Sequence, residues 1–443
     1  MRRTKWLMAT ALMAAAVMLA ATGVAAAQGD ARNPAATGAI PPAAASPPWS
    51  GQDGASGDPR MTAAAIRQAA ANFGRCIADL WPLAARHHVT RANFERYTRS
   101  LTPDLRIMDF VDNQPEFTKS IWDYLDLLVT EDRIAQGRAM LAKYSATFDA
   151  VERAYGVDRY IVTAIWGIES NYGSEGGERS VLRSTATLAC VGRRQKYFRD
   201  EFISTLEILN RGDVRPDRLV GSWAGAFGPT QFMPTAFKRY AVDFDRDGRR
   251  DVVDSVPDVI ASTANNLRKV GWHVGETWGY EVVVPANFNF LLADRHQKLP
   301  IGEWQRHGVA RPGGKPFPRA DDVAYLLTPA GVQGPGFLML HNFRVIMRYN
   351  PSEAYALAIG HLADRLRGGG SFAQRWPRYE RVLTRAERLE LQQLLNRHGF
   401  DAGEPDGRLG GRTRAAIRAF QARNGKIPDG FASSVILEQL RRR

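Results

Sequence analysis

From Met61 to about Ala363 the apolar residues recur mostly three and four positions apart, which predicts a run of amphipathic helices. The stretches "MTAAAIRQAAANFGRCIADLWPLAARH" and "TEDRIAQGRAMLAKYSATFDAVERAYG" carry that period most clearly. Between Tyr280 and Leu340 the pattern changes. "YEVVVPANF", "AYLLTPAG" and "GFLMLHNFRVIMRY" read as short strands between turns, so a small sheet inserted in a helical domain is expected. The triplet Gly368, Gly369 and Gly370 marks a joint. After Thr384, "ERLELQQLLNRHGF", "GRTRAAIRAFQARNG" and "PDGFASSVILEQL" predict three short helices of a separate small module. The fold class expected is mainly α, of α+β type.

The amino-terminal pattern differs from both. Arg2, Arg3 and Lys5 precede an uncharged run from Trp6 to Ala27 that ends in small residues, which reads as a secretory signal peptide over 1–27. A membrane-anchor helix is the alternative. No cysteine lies near the cleavage point, so no lipid anchor is expected. Residues 28–60 are rich in Ala, Pro, Gly and Ser without a period, and read as a flexible linker. The organisation expected is therefore leader 1–27, linker 28–60, main domain 61–370 and small module 384–443.

Composition narrows the function. With 443 residues, 44% apolar and 24% charged, the chain is ordinary globular sequence, not a disordered one. Its formal charge is +13, and loss of the three leader cations leaves +10, which suits a polyanionic partner. For an exported, periplasmic protein that means wall polymer or membrane surface, and no nucleic acid is expected. Cys76 and Cys190 then meet an oxidising compartment; a disulfide and two buried thiols both remain open.

The stretch "AIWGIESNYG" (164–173) is the first candidate for chemistry. Asp158 is a plausible N-cap for the preceding helix, and Asn171, Tyr172 and Gly173 read as its stop. Val162, Ile165 and Trp166 lie seven, four and three residues before Glu169, on its face. Poor solvation and the negative end of the helix dipole both favour a protonated carboxyl, the form a general acid needs. On this stretch alone, a partly buried Glu hydrogen-bonded for structure is the favoured reading. "GSWAGAFGPTQFMPTAFKRY" (221–240) is dense in Gly, aromatics and Pro, with Ser222 and Gln231 as polar points. Sugars are bound by such ring faces and few directed hydrogen bonds. "MRYNPSEAYALA" adds Tyr349, Asn350 and Tyr355.

Together with "QPEFTKSIWDYL" and "GPGFLMLHNFRVIMRYN", these segments resemble the membrane-bound lytic transglycosylase B family and its soluble relatives over about 61–366. The resemblance implies a lysozyme-like helical core with a long glycan cleft. It implies cleavage of the β-1,4 bond between N-acetylmuramic acid and N-acetylglucosamine to a 1,6-anhydro product. Carried over by position, Glu169 is the single catalytic acid and base. Ser222, Gln231, Tyr349, Asn350 and Tyr355 become cleft residues, with Tyr124 a further one on a weaker local match. Glu175 and Glu178, the only nearby carboxylates in sequence, read as a solvated loop. One acid suffices if the substrate's acetamido group takes the other role. A lysozyme-type hydrolase and a non-catalytic wall-binding scaffold are the alternatives.

"DFDRDGRRDVVD" has the spacing of an EF-hand loop: Asp243, Asp245, Asp247, Arg249 through its carbonyl, Asp251 and Asp254. Asp in place of Glu at the last position and Arg250 at the eighth point to weaker or less selective calcium binding. No cofactor is expected for the chemistry, and a structural Ca2+ or another hard divalent cation is the metal expected. The last 60 residues resemble the type 1 peptidoglycan-binding module on Leu391, Leu394, Gly399, Asp406, Gly407, Thr413, Ala416, Phe420, Gln421 and Gly425. The partners expected are glycan strands of peptidoglycan, and unspecified cell-wall synthesis or divisome proteins, for a monomeric enzyme.

Overall fold

The computed structural model describes residues 48–442 apart from 55 and 112–118. The expected leader, the linker up to 47 and all of "QPEFT" lie outside the described residues.

The centre of the body is the helix Arg159–Ser170, every residue of which from Ile161 onward is buried. It packs on Glu353–Leu366 and Glu131–Lys143, while Val181–Cys190 packs along Gln195–Arg211. One large core joins these helices. Cys76 and Cys190 are disulfide-bonded with Cα atoms 6.0 Å apart, which ties the first helices to that core and closes the question left open by sequence.

The predicted sheet is present. Strands β1 (Arg179–Ser180) and β2 (Val220–Gly221) form a small antiparallel pair. Strands β3 (Gly279–Val282), β4 (Leu299–Pro300), β5 (Val323–Leu327) and β6 (Gly336–Met339) form an antiparallel sheet in the order β3-β6-β5-β4. Successive residues turn to opposite faces. Tyr325, Leu327, Phe337 and Met339 join the main helical core, whereas Val282, Ala324, Leu326 and Leu338 close a second core with Trp304 and Phe288. Both faces are covered, which is why these strands read as continuous apolar runs.

Two expectations change. "HNFRVIMRY" was expected to extend a strand but is the helix His341–Tyr349. Asn342, Phe343, Val345, Ile346 and Tyr349 are its buried residues, a helical period hidden behind the β-branched composition of the stretch. The end of the expected linker is also folded onto the body. Trp49 packs against the main core, Ser50 donates to Asp109 at 2.5 Å, and Asp53 accepts from Ala63 N at 2.7 Å. A single tryptophan and two hydrogen-bonding side chains override a composition that otherwise resembles a tether.

The three carboxy-terminal helices run Arg385–Arg397, Gly411–Arg423 and Ser434–Arg441 around their own core of Leu391, Leu395, Ile417, Phe420, Leu437 and Leu440. Thr384 and Glu387 form a capping box at the first. This module docks on the body through charge. Arg414 meets Glu353 at 2.7 Å, and Arg295 reaches the same carboxylate at 3.4 Å. Two opposing guanidinium groups hold Glu353 below its ordinary range against the cost of burial.

Candidate active site

Asp158 caps the central helix by accepting from Tyr160 N at 2.8 Å. At the other end Asn171, Tyr172 and Gly173 take φ of 48°, 58° and 93°, three left-handed residues in succession that stop the helix and turn the chain back. The turn folds Tyr172 under the helix, where its hydroxyl donates to Arg133 O at 2.7 Å. A Cβ on Gly167 would stand 2.6 Å from that hydroxyl, so glycine is required there. Glu169 sits one residue before the helix ends and is only 6% exposed.

The Tyr355 hydroxyl donates to Glu169 Oε1 at 2.6 Å across 186 positions of sequence. Tyr355 is fully buried; burial and the neighbouring Glu169 push its own ionisation far above the ordinary phenol range, so it remains a donor. Tyr124 adds to that push and is buried in the helix Ile121–Leu128. The Tyr349 hydroxyl donates to Thr230 O at 2.6 Å, and burial followed by Glu169 raises its ionisation too. The structure thus brings Glu169, Tyr355, Tyr349 and Tyr124 into one neighbourhood. Asn350 is buried at the turn between the two helices that carry Tyr349 and Tyr355, where its carbonyl accepts from Ser352 N.

The second wall is 221–240. Ser222 Oγ accepts from Ala226 N at 3.1 Å, and Ser222 N donates back to Ala226 O at 2.8 Å. A Cβ on Gly221 would stand 2.0 Å from Ala226 O, so the tight return needs glycine. Gln231, at φ 51°, donates its side-chain amide to Gly176 O and Gly228 O, each at 3.0 Å. It ties this loop to the one after the acid. Ser170 does the same from the helix end: its hydroxyl donates to Pro229 O at 2.5 Å and accepts from Gly173 N at 2.9 Å. Sequence reasoning passed over Ser170, whose only signal was its place beside the acid. It also passed over Glu201, buried beneath this wall, which accepts from Thr235 N and Thr235 Oγ1 at 2.9 and 2.7 Å. Glu175 and Glu178 are exposed.

The acidic loop lies behind the same wall, since a Cβ on Gly228 would meet Val252 O at 2.2 Å. The carboxylates that gather here differ from the set read from the spacing. Asp243 and Asp245 gather with Asp258, with one oxygen of each within 4.8 Å of the others. Asp258 lies four residues past the expected loop, is buried, and accepts from Phe244 N and Asp251 N. Asp254 is drawn instead to Arg218, Asp247 to Arg249 at 3.4 Å, and Asp251 accepts from Val253 N and Asp254 N. Arg218, which lies outside the loop, pairs with Asp254, and the Arg249 side chain, at a loop position expected to offer only its carbonyl, pairs with Asp247. Asp243 Oδ1 is buried without a hydrogen-bond partner, and a cluster of three carboxylates with such an oxygen fits a hard divalent cation.

Residues 72–364 match the transglycosylase SLT domain, and residues 384–440 match a putative peptidoglycan-binding domain. The chain belongs to the SLT transglycosylase family. It is 31% identical over 248 residues to membrane-bound lytic murein transglycosylase B of Escherichia coli K12, over 54% of this chain and 66% of that protein. The structure resembles SltB3 of Pseudomonas aeruginosa in complex with NAG-anhNAM-pentapeptide, with a TM-score of 0.80 and 44% identity over 83% of this chain and 99% of that one. The Escherichia coli lytic transglycosylase Slt35 in complex with calcium matches with a TM-score of 0.56 and 26% identity, over 67% of this chain and 92% of that one. As an SLT transglycosylase, the chain has the lysozyme-like fold that the sequence motifs implied.

Proposed function

We propose that this SLT transglycosylase is an exported enzyme that cleaves the β-1,4 bond between N-acetylmuramic acid and N-acetylglucosamine in peptidoglycan and leaves a 1,6-anhydro end. The observation that carries the reading is the buried Glu169 held by the Tyr355 hydroxyl at 2.6 Å, between aromatic and glycine-rich walls. In the first step Glu169 gives its proton to the glycosidic oxygen, the C1–O bond breaks, and the substrate's acetamido oxygen stabilises C1. In the second, the muramyl C6 oxygen bonds to C1 and its proton passes to the Glu169 carboxylate, which restores the acid. No water is consumed, and the intramolecular attack gains from effective molarity. Tyr355 orients the carboxyl in both steps, while Gln231 and Ser170 hold the opposite wall against the acid helix. Ser222, Tyr349, Asn350 and Tyr124 complete the cleft.

The leader 1–27 and the Cys76–Cys190 disulfide both suit the periplasm. Among the described residues no helix is long and apolar enough to cross a membrane. The carboxy-terminal module grips the wall and raises the local substrate concentration. Asp243, Asp245 and Asp258 hold a Ca2+ that stiffens the loop behind Gly228, and the chemistry itself needs no cofactor. The chain acts as a monomer on glycan strands.

Glu169→Gln keeps the shape and removes the acid. Incubated with purified wall, it is expected to release no anhydro-muropeptides by mass analysis, whereas the wild type releases products one water lighter than hydrolysed ends. Release of anhydro products by the variant would overturn the mechanism. Hydrolysed ends from the wild type would favour a lysozyme-type hydrolase.

A further inference from the structure

A cavity of about 440 Å3 lies where the carboxy-terminal module meets the body. Trp122 and Met347 wall it from the body, Leu383 and Leu409 from the module side. It also borders residues 351–354, the segment that links Asn350 to Tyr355. Lys119, Arg295, Arg381, Arg388, Arg408 and Arg414 line it, against the single acid Glu353.

Several of these charges are already matched. Arg414 and Arg295 share Glu353, and Arg381 is bidentate on Glu387 at 2.7 and 2.8 Å. Arg388 is different. It is only 8% exposed, its Nε is buried without a hydrogen-bond partner, and the neighbouring charge of Arg385 is repulsive. No acid among the described residues forms an ion pair with it. A guanidinium withdrawn from water without a counter-charge is strongly unfavourable, and its planar fork is shaped for a carboxylate. The cavity is too large for a lone inorganic anion, and its mixed walls suit the alkyl parts of a short chain that also carries negative groups.

We propose that this cavity binds the carboxylates of an acidic peptide, the stem peptide carried by the glycan strand, and that Arg388 receives one of them. The identity of the peptide rests on the wall-cleaving function proposed above; the anion site rests on the cavity and Arg388. Binding there places the peptide beside the segment that supports Tyr355, with the module and the body each forming one side of the grip.

Calorimetric titration of the full chain tests this with three probes: the free stem tetrapeptide, the same peptide with its carboxylates amidated, and acetate. The wild type is expected to bind the tetrapeptide and to bind the amidated form at least tenfold more weakly. Arg388→Met is expected to lose at least tenfold for the tetrapeptide, with Arg388→Lys between the two. Thermal melting should show Arg388→Met as stable as the wild type, since it removes an uncompensated buried charge. Equal affinity for the amidated and free peptides, a measurement that needs no variant, overturns the proposal; so does acetate binding as tightly as the tetrapeptide. The two readings fail separately. Peptide binding by a chain that does not cleave wall supports this site and sinks the enzyme assignment, whereas cleavage by a chain that binds no peptide sinks this site alone.

Discussion

Tyr355→Phe removes one oxygen from the centre of the proposed mechanism and almost nothing else. The ring is fully buried and the phenylalanine fills the same space, so neither a cavity nor a clash arises. What disappears is the 2.6 Å hydrogen bond to Glu169 Oε1. Hydrogen bonds to a charged group are worth about 1.5–3 kcal/mol. In the second step that group is the carboxylate that must accept the C6 proton from a fixed position, so most of the loss falls on the transition state. About 1.5–3 kcal/mol converts to a fall in kcat of about 10–150-fold. KM should change little, because the hydroxyl is spent on its bond to Glu169. The assay is the initial rate of anhydro-muropeptide release over a range of wall concentrations, with circular dichroism to show that the variant is folded. A folded Tyr355→Phe with kcat within twofold of the wild type would show that the bond does not position the acid, and the roles given to the Tyr355 helix would have to be withdrawn.

Gly221→Ala forces a Cβ to within 2.0 Å of Ala226 O and should cost about 2–3 kcal/mol in urea unfolding; a loss below about 0.5 kcal/mol would mean that the return loop relaxes freely. Reduction of the Cys76–Cys190 bond opens a separation of 114 residues, and loop-closure entropy predicts a loss of up to about 5 kcal/mol, visible as a lower Tm under a thiol reductant. Two groups on the Tyr355 helix make opposite contributions to stability with pH. Burial raises Asp364 from 3.8 to about 6, so its stabilising effect is full below pH 3.8 and is lost as pH rises through 6. Burial lowers His361 from 6.5 to about 4, so its effect is full above pH 6.5 and is lost as pH falls through 4. Buried His361 is worth about 3 kcal/mol by linkage; Asp364, whose side chain is 38% exposed beside Arg367, contributes less because solvent screens it, and the two oppose each other between pH 4 and 6.5. Asp364→Asn should therefore unmask a stability that falls in acid, and His361→Phe one that rises in acid; parallel profiles for the two variants would refute the assignment.

The acid helix was legible because its signals are local: Asp158 at one end, the apolar stripe through Ile165 and Trp166, and the left-handed stop at Asn171. The short apolar runs of the inserted sheet, set between turns, were legible for the same reason. The residues that act on Glu169 from a distance came only through the family resemblance, since nothing within the sequence places Tyr355 or Tyr349 beside it. Ser170 and Glu201 had no signal of their own, because a buried polar side chain takes its meaning from a partner elsewhere, here Pro229 and Thr235. The acidic loop shows the limit most clearly. Spacing identifies where carboxylates lie, but Arg218 and Arg249 pair with two of them, and Asp258 joins Asp243 and Asp245 from the next helix. Trp49 and the helix His341–Tyr349 were misread because composition outweighed, in the first, one anchoring ring and, in the second, the helical period.

Glu353, gripped by Arg414, is the first residue of the helix whose third residue is Tyr355. A wall-binding module on a slack tether samples a broad spread of distances from its catalytic partner. One clamped to that helix holds a single distance. The span between the module and the acid helix is then a property of the folded molecule, set by the Glu353–Arg414 pair and not by a linker.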